Sequence, residues 1–358
     1  MTGSDLVALS SYFKHRWTQL TDLSLPSRAR VLVLTNAGVR LRQLGRLVEA
    51  RGCFGAVVSE IDLQTAEPEE MEDASYAAAQ YCELLVVAGK LISRAGGGPD
   101  SALDSGQRAV EYADRGGDPY FSMHARSSLA EVYFMLGQSE RAAALFEDAM
   151  AIDRERHPEP PFLYSQSLFR YGYYLIEASR AEELLADETN NPDWGTSRHD
   201  NSLLSSAIRP LILGAASRSL IERGDRSPER LAQAHGYLND AINRLRTAGY
   251  ADYTARGLLE RAHFYRIRHQ DDDYARARED LDRAAIEADR GQMELLYADI
   301  LLQQVACHRE FRRVMSNLER STSRPRIAHM LSEATDRIVT MGYARRRSLL
   351  DELRNDLL

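Results

Sequence analysis

"SSLAEVYFMLGQSERAAALFEDAM", residues 127–150, reads as two amphipathic helices joined at Gly137. Leu129, Ala130 and Tyr133 share one helical face before the glycine, and Ala142, Phe146 and Ala149 mark a second face after it at spacings of four and three. Small residues on those faces let two antiparallel helices approach, while Tyr133 and Phe146 fill the space between them.

One helical hairpin proves little, so recurrence is the test. Around Gly45 the same offsets return, with Gly38 and Leu41 before it and Ala50, Phe54 and Val57 after it. Beyond Gly224 the second helix carries Ala234, Leu238 and Ala241; Ala277, Leu281 and Ala284 repeat the pattern, and Gly172 with Tyr171 and Leu175 suits another first helix. The pattern resembles the tetratricopeptide repeat (TPR), whose period is ~34 residues, and predicts about six or seven degenerate hairpins. Extra residues at Gly96–Pro99, around Asn190–Pro192, at Asp225–Pro228 and from Gln270 to Asp273 fall at expected turns, where a repeat array tolerates insertion.

The predicted fold is therefore all-α: a right-handed superhelical, TPR-like solenoid of antiparallel helix pairs. Its expected parts are an N-terminal capping helix over 1–27, a degenerate TPR array over 28–343 and a C-terminal capping helix over 344–358. Leu6, Leu9, Phe13, Trp17 and Leu20 form the stripe of the first cap, and Leu349, Leu350, Leu353 and Leu357 that of the last. Strand signals are nearly absent; Val31 to Thr35 sits inside a helix-period pattern.

Several stretches are more specific: "RERHPEPPFLYS" at 154–165, "LNDAINRLRTAGYADYTARGLLERAHFYR" at 238–266, "DLDRAAIEADRGQMELLYAD" at 280–299 and "MGYARR" at 341–346. They resemble the C-terminal TPR regions behind bacterial NACHT-like and other STAND-type NTPase domains. The resemblance implies a sensor arm that recognises a ligand or partner and passes that event to an effector, in bacterial signalling or defence. No Gly-x-x-x-x-Gly-Lys-Ser/Thr phosphate loop accompanies it: "VAGKL" at 87–91 has the lysine but neither the first glycine nor the Ser/Thr. On that resemblance the effector or ATPase is another chain, or this sequence is a standalone relative.

Composition narrows the function classes. The 358 residues are 44% hydrophobic and 27% charged, enough for a sizeable core, and 45 basic against 53 acidic residues leave a net charge of −8. A general nucleic-acid surface is not expected, Arg345–Arg347 being the one short basic run. Cys53, Cys82 and Cys307 are odd in number and widely spaced, which predicts reduced thiols rather than a disulfide framework. Neither a signal-peptide pattern at Met1–Asp5 nor a run of ~18 apolar residues occurs, so a cytoplasmic location without membrane contact is expected.

Chemistry is harder to find. Neither Cys-x-x-Cys nor His-Glu-x-x-His occurs, Cys307 and His308 are adjacent and point about 100° apart on a helix, and Asp271–Asp273 lacks the glycine and glutamate of a calcium loop. No metal, cofactor or catalytic residue is predicted. In TPR arrays the first helix of each hairpin lines the concave surface, so helix phase nominates the partner-binding residues Asn36, Arg42, Glu131, Arg170, Tyr173, Arg256, His263 and Arg266. Asn36 occupies the slot that resembles the asparagine gripping a bound main chain in peptide-clamping TPR domains. The arginines suit acidic groups of a partner, guanidinium forks matching carboxylates, or salt bridges within the array itself. The expected function is a non-catalytic scaffold or sensor that binds a peptide or protein and couples it to a separate effector. The alternative is a receptor whose small-molecule or signalling-peptide ligand changes superhelix curvature and releases a partner.

Overall fold

Gly137 stands at φ 74°, and the N–H groups of Gly137 and Gln138 return to the carbonyls of Phe134 and Tyr133 at 3.0 and 2.8 Å. This satisfies carbonyls that the end of a helix would leave bare, and it needs a left-handed residue at the turn. The same closure recurs at Gly45, Gly89 and Gly224, and at Ser179, which adopts φ 62° without being glycine. His269 takes the corresponding place at φ 59°. Successive turns are thus 42 to 48 residues apart, and the expected period of ~34 is too short for this chain. The helices are the reason: most of them run 17 to 21 residues.

The computed structural model describes residues 2–15, 17–22, 24–61, 64–93, 100–156, 163–190, 202–311 and 317–357. The insertions read at Gly96–Pro99 and Asn191–Pro192 lie outside the described residues. Within them the chain is all-α and TPR-like, apart from one two-stranded ribbon. After α1 (Thr2–Ser10) and that ribbon, helices follow in consecutive hairpins: α2 (Ser27–Gln43) and α3 (Leu47–Glu60); α4 (Pro68–Val87) and α5 (Ala102–Gly116); α6 (Pro119–Met135) and α7 (Ser139–Arg156); α8 (Ser165–Glu177) and α9 (Ala181–Asn190). The series continues with α10 (Leu203–Glu222) and α11 (Pro228–Ala248), α12 (Ala251–Arg268) and α13 (Asp273–Gly291), and α14 (Glu294–Phe311) and α15 (Asn317–Met341). A 3₁₀ turn at Ala344–Arg346 leads into α16 (Arg347–Leu357), whose Leu350 and Leu353 are buried. Starts are chemically marked: Ser101, Asp118 and Ser202 accept hydrogen bonds from the N–H groups of Asp104, Tyr120 and Ser205, with Pro119 at the first position of α6.

The chain forms two compact units, residues 1–171 with 249–251, and residues 172–248 with 252–358. Both use the same packing device. In the first unit a Cβ on Gly38 would stand 2.7 Å from the Phe54 ring, and in the second a Cβ on Gly214 would stand 2.7 Å from Leu238. Hydrogen at those positions is what brings the two helices of a hairpin together. The positions read from sequence, Leu41, Ala50, Phe54, Ala142, Phe146, Ala149, Ala234, Leu238, Ala241, Ala277, Leu281 and Ala284, are all buried. Tyr133 is only half-buried, its ring under the Arg141 guanidinium at 5.5 Å.

The N-terminal reading needs correction. A single capping helix carrying Phe13, Trp17 and Leu20 was expected over 1–27, but α1 stops at Ser10, and β1 (Phe13–His15) pairs antiparallel with β2 (Gln19–Leu20) through a turn where Trp17 has φ 67°. The Cys53 thiol donates to the Trp17 carbonyl at 2.9 Å, and the Arg46 guanidinium lies 5.7 Å from the Trp17 ring. Those tertiary contacts hold a bend that spacing alone could not distinguish from another helical turn.

Candidate binding cavity

In both units the first helices of the hairpins carry arginines and carboxylates on one shared face. In the first unit that face is closed on itself. Arg42 of α2 donates to Gln80 and Glu83 of α4 at 2.7 and 2.8 Å. Arg170 of α8 donates to the same Glu83 at 3.0 Å, to Glu131 of α6 at 3.2 Å and to Ser127 at 3.3 Å. Gln166 completes the set, donating to Glu83 at 3.0 Å and accepting from Gln80 at 2.9 Å. Arg42 and Arg170 are 1% exposed and Glu83 4%, so this is a sealed ionic core. His124 lies against it between Tyr76 and Tyr120; burial, and then Arg170, push its pKa down to about 3 and keep the ring neutral.

In the second unit the equivalent face encloses a cavity of about 470 Å³. Tyr173 and Glu177 come from α8, Arg218 and Glu222 from α10, Glu260, His263 and Arg266 from α12, and Asp299, Arg309 and Glu310 from α14; Arg345 and Arg346 of the 3₁₀ turn and Glu352 of α16 close one end. Each helix contributes at spacings of three and four, which is how one helical face turns a stripe toward a cavity. Ile176, Leu259, Ile267, Leu302 and Leu349 supply apolar wall between the charges.

The charges are paired but not sealed. Arg218 donates to Glu260 at 2.8 Å and to Glu222 at 3.0 Å; Arg266 reaches Glu222 at 3.2 Å and Glu310 at 3.3 Å. Nε2 of His263 stands 3.1 Å from Glu222 and 2.5 Å from Arg266, so its one proton or lone pair serves only one of the two at a time. Burial first, then Arg218 and Arg266, push the His263 pKa down to about 4, against the pull of Glu222. For Glu222 itself burial acts upward, but His263, Arg218 and Arg266 outweigh it and hold the carboxyl well below the usual carboxylate range. At the far end Arg345 and Arg346 share Glu177, and Arg346 also binds Asp299 at 2.8 Å. Two arginines of the short basic run are thus paired within the unit, and the third, Arg347, is exposed. Tyr173 hydrogen bonds to Glu260, and burial raises its phenol well above the ordinary value.

Of the residues nominated by helix phase, Tyr173, His263 and Arg266 line the cavity together. Arg42, Glu131 and Arg170 instead form the sealed core of the first unit, where a partner would have to unfold the network to touch them. Asn36 is exposed, but its amide donates back to the Leu32 carbonyl of its own helix at 2.8 Å rather than projecting as a clamp. Arg256 is half-buried on α12 and outside the cavity wall, near enough to influence the Tyr173 phenol. Sequence reading missed Arg218, Glu222, Glu260 and Glu310. A signal existed: the offset of four that leads from Ala262 to Arg266 also leads from Gly214 to Arg218.

Other candidate chemistry dissolves on inspection. Cys307 is buried and its thiol is pushed up to about 12 by desolvation, which leaves no nucleophile beside His308. Asp273 is bound by Arg268 and by the Gln270 N–H, so the aspartate run is a helix start. Gly89 of "VAGKL" closes α4 with the hairpin turn described above, not a phosphate loop. Among the described residues no group of three or more His, Cys, Asp or Glu is placed to hold a metal ion, and no helix is long and apolar enough to cross a membrane.

No protein-family model matches the chain. No curated protein matches it either. Among solved structures, the crystal structure of a Rap protein complexed with Competence and Sporulation Factor is similar, with a TM-score of 0.51, 14% identity, and coverage of 94% of this chain and 90% of that one. At that identity the likeness carries the fold: a TPR-type array of helical hairpins, consistent with the turns and packing described above.

Proposed function

We propose that the chain is a non-catalytic binding scaffold that takes a peptide or extended protein segment into the cavity of its second unit and passes that event to a separate effector. The observation that carries this reading is the cavity: about 470 Å³, within the ~300–1,000 Å³ range of ligand pockets, walled by apolar side chains between charges of both signs. A peptide offers the matching inventory of apolar side chains, main-chain amides and charged groups. The Rap protein of similar fold was crystallised with a bound factor, which supports the use of this architecture for ligand capture. The proposed coupling to an effector rests on the resemblance of the sequence to sensor arms of STAND-type NTPases.

The test is fluorescence anisotropy with labelled random hexapeptide pools, comparing the full chain with Leu259→Trp, which fills the cavity from its α12 wall. Binding by the unaltered chain and its loss in the variant is expected; equal binding by both would move the site elsewhere. Effector coupling is read separately, as a partner retained from native lysate whose retention changes when the bound peptide is added. A small zwitterionic ligand is the second reading, favoured by the paired arginines and carboxylates of the wall, and a low-molecular-weight extract that raises the Tm where peptides do not would select it.

A further inference from the structure

Glu222 is the last residue of α10. An acid there faces the negative end of the helix dipole, so the helix itself gives no reason for it. What holds it is a convergence of two arginines, Arg218 at 3.0 Å and Arg266 at 3.2 Å, with Nε2 of His263 3.1 Å away.

The two sides of that convergence differ in freedom. The Arg218 and Arg266 side chains are each 8% exposed and each is anchored by a second acid, Glu260 for one and Glu310 for the other. Glu222 is 43% exposed, with nothing but these donors to keep it in place. Arg266 also keeps its Nε buried without a partner. The arginines are therefore anchored and already desolvated, while the carboxylate, with its 43% exposure, is the member of the cluster that can turn toward water when another acid takes its place. A fixed, preformed cationic fork occupied by a replaceable acid is the arrangement a carboxylate-binding subsite has when its ligand is absent.

We infer that Glu222 is a built-in stand-in for a carboxylate of the ligand, so that the cavity selects ligands bearing an acidic group and binds them by displacing Glu222 from Arg218, His263 and Arg266. This rests on the cavity being the binding site. A carboxylate fits better than a phosphate, because Glu260 and Glu310 stand beside the fork and oppose a second negative charge.

The test uses four matched fluorescent hexapeptide pools: free or amidated C-terminus, each with internal Glu or internal Gln. They are titrated by anisotropy against the unaltered chain, Glu222→Gln and Arg266→Gln, with inorganic phosphate as a competitor. Acid-bearing pools are expected to bind at least about tenfold more tightly than the amidated Gln pool. Glu222→Gln is expected to strengthen acid-bearing pools alone, Arg266→Gln to abolish their advantage, and phosphate to compete poorly. Whether the free C-terminus or the internal Glu carries the gain identifies the source of the carboxylate. Pools that bind equally well with and without an acid, unaffected by Glu222→Gln, would overturn the stand-in while leaving the cavity as a peptide site. Absence of binding by every pool would overturn both.

Discussion

The two units use the same pairs of residue types on the same faces of their first helices and obtain opposite results. In the first unit, Arg42, Glu83, Glu131 and Arg170 are withdrawn from water, and Gln80 and Gln166 join their hydrogen-bond network. In the second, Arg218 and Arg266 are buried too, but their acids Glu222 and Glu310 reach the wall of a cavity. A buried guanidinium paired with buried acids is part of the fold; a buried guanidinium paired with a half-exposed acid is available for exchange. Identity of the residues does not separate the two roles. Burial of the acids does.

The comparison can be broken most directly at Arg170. Its removal leaves Glu83 and Glu131 buried with a charge each short of a partner, so Arg170→Ala is expected to destabilise the first unit by about 3–5 kcal/mol in urea denaturation resolved by hydrogen exchange. A loss below about 1 kcal/mol would mean that the network is not a core. The apolar layer should behave alike in both units: Gly38→Ala and Gly214→Ala each force a methyl against a packed neighbour and should each cost about 1–3 kcal/mol. A large difference between them would show that the units differ in packing as well as in polarity.

Acid should sharpen the contrast. His124 and His263 titrate at about 3 and 4 in the fold against about 6.5 when unfolded. Below pH 6.5 the unfolded chain takes up protons that these folded rings refuse, so stability falls as pH drops, by about 1.4 kcal/mol per unit for each histidine, until its folded pKa is reached. His124→Phe should remove that slope from the first unit and leave it in the second, measured by denaturation at pH 7 and pH 5. The smallest effect is expected for Glu222→Gln, within about 1 kcal/mol of the unaltered chain, because its carboxylate is half-exposed. A loss as large as that of Arg170→Ala would place Glu222 in the fold rather than at a site.

Legibility from sequence followed local physics. The hairpin at 127–150 was readable because Ala142, Phe146 and Ala149 obey one helical spacing and Gly137 supplies the left-handed turn. The turns at Ser179 and His269 were not, since neither residue carries glycine's conformational signature. The N-terminal ribbon escaped because Leu6, Leu9, Phe13, Trp17 and Leu20 satisfy a helical spacing, whereas the bend depends on Cys53 and Arg46.

Helix phase placed Tyr173, His263 and Arg266 on an inward face, and it placed Arg42, Glu131 and Arg170 there as well. Spacing within a helix could go no further, because it fixes direction, not what waits at the other end. The sequence by itself determined an all-α array, its packing faces and the inward direction of its charged stripes, all of which are local. Tertiary structure alone decided that Arg170 meets Glu83 across 87 residues, that Arg218 meets Glu260 across 42, and how far water reaches the acids, and with that which stripe became core and which became a cavity.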